Sequence, residues 1–407
     1  MDAYGVGVPK LRICLLTDCY PPSIGGIESH VYGLASQLGR LGHNVDVVTH
    51  YPAPPAAGQQ VAPANPAGPP TNVVVHRLEG LVARVHDADP MIDPRSIGKV
   101  QNLLGTKGYD IVHGHSFGSV LALAGLRAAR RLGIPTVITS HSMVLTLTQL
   151  SFVNRILLEG ELWVTKKWVD SVIVVSEAAA QELVAIDLPT YIIPGGVDCE
   201  HWHPDPTARK RIRSLLGYQE GNVVVGYLSR LVRSKGAMSL LKVAARIARL
   251  LPDVRFLIIG DGPMRSQLER QMEELGLQTV VTMLGPRPWR ETPHYLNAMD
   301  VFVFPSYREA FGLALLEAMA CGIAPVARIS AGAREIITDG ETGYLIDSDE
   351  ELFQRVLELA QDEDLRKRIG VRARRSAQDK YSWKVIAERT LEAYGEAIRR
   401  RMERRTE

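Results

Sequence analysis

Short apolar runs alternate with longer amphipathic stretches along this chain, and the alternation runs through twice. Leu11–Thr17 and Asn44–Thr49 read as buried strands, with Glu28–Leu41 between them as a helix. The apolar residues Val31, Leu34, Ala35, Leu38 and Leu41 recur at helical spacing on one of its faces. Further strands are expected at Val73–Arg77, Ile111–His113, Thr136–Thr139, Ser171–Val175 and Tyr191–Ile193. The rhythm restarts at Asn222–Ser229 and continues through Val254–Gly260, Val280–Leu284, Val301–Phe304 and Ala324–Ala327. Parallel strands need crossovers long enough for a helix, so this β-α-β order predicts α/β architecture. Two such series predict two Rossmann-like lobes with parallel sheets facing across a cleft.

The polar segment at 199–211, CEHWHPDPTARKR, has two prolines and no clear period, and it is read as the junction. The expected division is an N-terminal lobe over 1–200, a C-terminal lobe over 201–380 and a helix over 381–407 that packs back toward the N-terminal lobe. The length of 407 residues agrees with two or three domains. The proline-rich stretch 52–70 lacks the apolar content to build a core and is read as a surface loop.

Charge excludes several classes. Lys plus Arg number 47 against 45 Asp plus Glu, a net of +2, so no global field argues for nucleic acid. No apolar run reaches the roughly 18 residues of a membrane span. The N-terminal apolar stretch is short for a secretory signal, so a cytoplasmic protein is expected. Cys14, Cys19, Cys199 and Cys321 show no CxxC spacing and signal neither a disulfide framework nor a zinc site.

Three segments are placed to carry chemistry, because loops after parallel strands face the ligand crevice of an open α/β sheet. The first is Tyr20–Glu28, where Gly25 and Gly26 allow close backbone approach and the following helix offers unpaired N–H groups. It is not the GxGxxG of nicotinamide binding, and GDGPMR at 260–265 does not complete one. The second is Ser229–Gly236, where Arg230 supplies a guanidinium fork for phosphate and Lys235 a point charge. The third is Ser306–Glu317. There Gly312 and the amides after it suit a diphosphate, and Glu317 is a lone acid in an apolar helix, LALLEAMA.

Glu309 and Glu317 form an E-x7-E pair, and other motifs follow in order: GGIESH at 25–30, PGGVD at 194–198, SRLVRSKG at 229–236, GDGP at 260–263 and EAFGLALLEAMACG at 309–322. This ordered set resembles the retaining GT-B glycosyltransferases of family 4 over almost the whole chain. Within that family, the GGIESH loop, IVHGHS and TSHS are most similar to enzymes that add N-acetylglucosamine or mannose to phosphatidylinositol. Two departures stand out: Gly195 replaces the usual Asn of PNGVD, and Ala331-Gly332-Ala333-Arg334-Glu335 replaces the usual Gly-Gly-x-Pro-Glu.

The resemblance implies a nucleotide-sugar donor, anomeric retention, no cofactor and no metal. It implies that Arg230 and Lys235 neutralise the leaving diphosphate with amides at Gly312 and Leu313, and that Glu317 holds the ribose. Glu309 would bind hydroxyls of the donor sugar, and His141 would face that sugar from the first lobe. Gly25 and Gly26 would approach the diphosphate, Arg287 would lie beside the base, and Phe311 belongs to the same donor-binding motif. A UDP-sugar such as UDP-N-acetylglucosamine is favoured over GDP-mannose, with an inositol lipid or other glycolipid precursor as acceptor. A sugar-nucleotide epimerase, a binding module without activity and a pyridoxal-phosphate phosphorylase are the rival classes.

Acceptor recognition is expected from loops at 80–95 and 142–160. The stretch Ser151–Asp170 reads either as a core helix with snorkelling cations or as a lipid-facing surface. The five arginines within Arg399–Arg405 read either as a solvated helix end or as a contact with an anionic membrane, the latter giving a peripheral location. His113 and His115, and likewise His201 and His203, lie two apart and would share a face if on strands. Neither pair has further ligands at suitable spacing.

Overall fold

A computed structural model describes residues 9–23, 25–50, 69–79, 94–141, 166–182 and 188–406. The loops at 80–93 and 142–160, most of the proline-rich stretch 52–70 and the larger part of Ser151–Asp170 lie outside the described residues. The chain divides into two compact units: Met1–Pro194 with Trp383–Glu407, and Gly195–Ser382.

The first unit is built on seven strands: β1 (Arg12–Leu16), β2 (Asn44–His50), β3 (Val73–Leu78), β4 (Ile111–His115), β5 (Thr136–Ser140), β6 (Ser171–Val174) and β7 (Thr190–Ile192). Their order is β3-β2-β1-β4-β5-β6-β7, all parallel. β1, β4, β5 and β6 are buried almost throughout, which is why they read as unbroken apolar runs instead of alternating ones. The helix Gly26–Arg40 buries Val31, Leu34, Ala35 and Leu38, whereas Leu41 is 39% exposed because the helix has already ended there.

The C-terminal helix Trp383–Thr406 completes this unit. Its Trp383, Ile386, Ala387, Ala393, Tyr394 and Ala397 share a core with Ile13, Leu15, Leu34 and Val47. Gly33 makes the seam possible: a Cβ there would come within 2.0 Å of the Trp383 indole. Tyr394 is fully buried, and its hydroxyl is hydrogen-bonded at 2.7 Å to Nδ1 of His113. That helix also absorbs its own arginines. Arg399 and Arg400 pair with Glu396, Arg401 donates to the Arg130 carbonyl at 2.9 Å, and Arg404 lies 3.7 Å from Asp170.

The second unit holds six strands: β8 (Val223–Leu228), β9 (Val254–Ile259), β10 (Val281–Gly285), β11 (Val301–Phe304), β12 (Ala324–Arg328) and β13 (Tyr344–Ile346). Their order is β10-β9-β8-β11-β12-β13, again all parallel. β13 goes beyond the sequence reading; three residues are too few to show a period. The unit boundary falls at Pro194–Gly195, which puts 199–211 just inside the second unit. Asp205 caps a helix over Pro206–Leu215, its carboxylate accepting from the Thr207 and Ala208 amides. Arg209 and Arg213 then pair with Asp300, whose carboxylate also accepts from the Val224 amide at 2.7 Å. The polar composition that suggested a linker is an ion-paired helix held against its own lobe.

Each sheet has one switch point, where the chain stops adding strands on one side and begins on the other. It lies between β1 and β4 in the first unit and between β8 and β11 in the second. Open α/β sheets bind ligands at that position, outside the carboxyl ends of the strands. Among the described residues no helix is long and apolar enough to cross a membrane.

Candidate active site

The second unit concentrates its polar chemistry at the switch point. After β8 the chain runs through Ser229 and Arg230 into a 3-10 turn, Arg233–Lys235. The GDGP turn fastens this loop from below: the Leu231 amide donates to the Asp261 carbonyl at 2.8 Å and the Met264 amide to the Leu231 carbonyl at 3.0 Å. Gly260, at φ +139°, must be glycine, since a Cβ would sit 1.9 Å from the Ser229 carbonyl oxygen. Thus GDGP acts as the support under Arg230.

Arg230 is exposed, and no carboxylate among the described residues pairs with it. Lys235 instead points to the loop after β11. Its ammonium donates to the Glu309 carboxylate; both side chains are 17% exposed. The same ammonium lies 5.9 Å over the Phe304 ring. The Glu309 carbonyl accepts from the Gly332 amide at 3.0 Å, tying the loop to the short helix Ala331–Ile336. The structure therefore joins Lys235 and Glu309, which are 74 residues apart.

Gly312 follows at φ +100° and opens the helix Leu313–Ala320 with no side-chain cap. The first amide to fold back within that helix is that of Leu315, which donates to the Gly312 carbonyl, so the amides of Leu313 and Ala314 are left for an anion. Phe311 is buried and supports this turn. A Cβ on Gly195 would lie 2.8 Å from its ring, and a Cβ on Gly332 would lie 2.1 Å from its carbonyl oxygen. The two departures from the family motifs thus meet: Gly195 and the segment Ala331–Glu335 both close on Phe311.

Glu317 stands one turn into the helix, as its spacing implies. It has no hydrogen-bond or ion-pair partner among the described residues, and desolvation pushes its carboxyl up to about 8 from an ordinary 4.5. The folded protein therefore keeps a proton at neutral pH that the unfolded chain has released. Stability from the protonated carboxyl is complete below about pH 4.5 and is lost as pH rises through about 8. Glu317→Gln is expected to match the parent protein in acid and to exceed it in chemical denaturation above that upper pH. Identical pH profiles for the two proteins would show that folding does not hold a proton on Glu317.

Arg287 follows β10 on the same side of the sheet. Its guanidinium lies 5.3 Å from the Tyr295 ring centroid, and its Nε is buried without a partner. His201 and His203 are in a turn, not on a strand. His201 stacks on Trp289 with ring centroids 3.9 Å apart, and His203 is hydrogen-bonded through Nδ1 to the Glu200 carbonyl at 2.8 Å. Shared-face reasoning does not apply to them.

In the first unit the site residues gather around the β1–β4 switch point. Gly25 caps the helix Gly26–Arg40 in extended conformation, and Glu28 in the first turn lies over it: a Cβ on Gly25 would be 2.3 Å from Oε2 of Glu28. An anion reaching the amides of Gly25 and Gly26 would have to displace that carboxylate. His141, directly after β5, is half-buried and lies 3.0 Å from His115 through Nε2 and Nδ1. His30, from the first helix, meets His141 with ring centroids 4.6 Å apart. Burial holds His30 at about 4 and holds His115 and His141 well below the usual histidine range, so all are neutral at pH 7. Asp18, at the end of β1, has its carboxyl raised to about 6 by burial. Nothing in the sequence singled out Asp18. The clustering of His30 and His115 with His141 depends on β4 and β5 being neighbours, which single-chain spacing does not reveal.

Comparison with known proteins completes the description. The profile of the family described as "Glycosyltransferase Family 4" matches residues 24–201, and that described as "Glycosyl transferases group 1" matches residues 208–376. One phosphatidylinositol N-acetylglucosaminyltransferase subunit of Arabidopsis thaliana is 30% identical over 409 residues, covering 96% of this chain and 83% of that protein. Alpha-maltose-1-phosphate synthase of Mycolicibacterium smegmatis is 28% identical over 416 residues, covering 94% of this chain and 99% of that protein. Among solved structures, Anabaena Alr3699/HepE in complex with UDP-glucose superposes with a TM-score of 0.73 at 22% identity, covering 95% of this chain and 99% of that one. The two parallel-sheet lobes are those of the GT-B fold.

Proposed function

The chain belongs to glycosyltransferase family 4, and from that premise we propose that it moves a sugar from a nucleotide-sugar donor to a hydroxyl of an inositol lipid or related glycolipid precursor, with retention at the anomeric carbon. The observation that carries the reading is the Lys235–Glu309 pair at the second unit's switch point, beside the uncapped amides after Gly312. A cation, free amides and an acid one turn onward are what a sugar nucleotide needs in order to lose its diphosphate.

In this reading Arg230, Lys235 and the amides of Leu313 and Ala314 receive the negative charge that grows on the leaving diphosphate. The bond between the anomeric carbon and the diphosphate oxygen breaks while the acceptor oxygen attacks the same face. The acceptor proton passes to the departing phosphate oxygen, so no metal and no protein base is required. Glu317 takes the ribose hydroxyls, Glu309 the hydroxyls of the donor sugar and Arg287 the side of the base. His141, neutral through burial, meets the sugar as a hydrogen-bonding group and not as a charge.

UDP-N-acetylglucosamine is the favoured donor, supported by the likeness to the Arabidopsis protein, with GDP-mannose as competitor. A cytoplasmic location with peripheral attachment to an anionic membrane suits a lipid acceptor. The test is incubation of the full chain with each sugar nucleotide and phosphatidylinositol vesicles in EDTA, with product anomers read by NMR. An α-linked glycolipid from one donor is expected. Sugar-nucleotide isomerisation without acceptor would favour the epimerase, and transfer to a hexose phosphate acceptor alone would discard the lipid.

A further inference from the structure

Three separate elements of the first unit bring imidazoles to one point: the helix Gly26–Arg40, β4 and the residue after β5. One ring nitrogen each from His30, His115 and His141 lies within 4.8 Å of the others. We propose that these three histidines bind a divalent d-block cation, zinc being the type, as three ligands of a tetrahedral site. This goes beyond the transferase reading, which turns His141 toward the donor sugar and assigns no ligand to the other two.

One of the three nitrogen separations is already that of an occupied site, and the others have to shorten from at most 4.8 Å. Zn–N bonds of about 2.0 Å at a tetrahedral angle set neighbouring nitrogens roughly 3.3 Å apart. Nδ1 of His115 and Nε2 of His141 already stand at 3.0 Å. In the metal-free chain one of these nitrogens carries the proton that the other accepts; a cation takes the place of that proton, which moves to the opposite nitrogen of its own ring, so each neutral ring ligates through one nitrogen and carries its hydrogen on the other. A neutral imidazole has the free lone pair that a metal needs.

The other histidine nitrogens divide into bonded and unbonded ones. His115 is 1% exposed, and its Nε2 has no hydrogen-bond partner. With Nδ1 as the ligating atom, this nitrogen carries the ring hydrogen and is left for ordered water. His30 has ring contacts with His141 and with Trp383, centroids 4.6 and 5.3 Å apart, but no hydrogen bond to its ring nitrogens among the described residues. His113 differs. Its Nδ1 is bonded to Tyr394 and its Nε2 to Thr139, both at 2.7 Å, so it braces the His115 ring from behind and is not a ligand. His141 is half-buried, and water would supply the fourth ligand.

A bound cation would withdraw His141 from the sugar, so zinc is expected to inhibit transfer; that consequence alone rests on the transferase reading. The binding test does not. Untagged full-length protein, stripped of metal, is titrated with Co2+ and followed by visible ligand-field absorption. Tetrahedral bands that saturate at one cation per chain and are displaced by Zn2+ are expected. His30→Gln and His141→Gln should each abolish the bands, and His201→Gln in the second unit should keep them. Absence of saturable bands in the parent protein overturns the proposal, whatever the enzymatic activity proves to be. Bands that survive His141→Gln, at a half-buried position that tolerates exchange, overturn it equally.

Discussion

Lys235→Ala should lower kcat about 100- to 1000-fold, the usual loss when one preorganised donor to a developing negative charge is removed. The argument is positional. Lys235 is held by the turn after β8 and by the Glu309 carboxylate, so its ammonium is fixed before any donor arrives. In the proposed reaction, charge grows on the diphosphate as the sugar–phosphate bond breaks, so the loss should fall on kcat more than on donor KM. Lys235→Arg, which keeps the charge but not the compact ammonium, should recover part of the rate. Because Lys235 and Glu309 form one unit, Lys235→Ala with Glu309→Ala should cost less than the sum of the single changes. Steady-state kinetics on these variants and the parent decides the matter. A Lys235→Ala enzyme within about threefold of the parent kcat would remove this side chain from the chemistry.

Gly236→Ala is the second large effect, and it acts on the scaffold. Gly236 adopts φ +70°, and a Cβ there would sit 2.2 Å from the carbonyl oxygen of Pro305. The clash is with backbone, so no side chain can swing aside; the exits of β8 and β11 must separate. Conformational strain and the clash together are expected to cost about 3 kcal/mol or more. Gly340→Ala isolates the strain, since Gly340 has φ +73° with open space around it. That change should cost about 1 kcal/mol. Guanidinium denaturation of the two variants measures the difference. Equal midpoints would show that the loops after β8 and β11 part without resistance.

Much of the fold was legible because parallel strands are buried on both faces. Continuous apolar runs such as NVVVGYLS and VFVF can be satisfied in few other ways, and their boundaries were off by only a residue or two. Leu41 failed because a helix period does not announce where the helix ends. The helix within 199–211 was not legible because an ion-paired helix and a linker have the same polar composition; Asp300, distant in sequence, distinguishes them. β13 is too short to carry a pattern.

The candidate site divides along the same line. Arg230, Lys235, Glu309, Gly312 and Glu317 can be put forward as candidates from sequence because strand-loop-helix order fixes which loops face a ligand. The Lys235–Glu309 contact, the shared packing of Gly195 and Gly332 on Phe311, and the histidine cluster depend on which strands are neighbours. That ordering is a property of the folded sheet and not of local spacing. Glu317 was recognised as anomalous from its apolar surroundings, and among the described residues it indeed lacks a partner.

The helix Trp383–Thr406 places the last part of the first unit beyond the whole of the second. On the ribosome, residues up to Pro194 emerge with Ile13, Leu15 and Leu34 still lacking the face that covers them, and 382 − 194 = 188 residues must be made before Trp383 appears. At 5–20 residues per second that is a wait of roughly 10 to 40 s. For that interval a nascent sheet shows bare apolar surface to water, where holdase chaperones and aggregation compete for it. The second unit, contiguous in sequence, has no such delay and can fold before the first is closed.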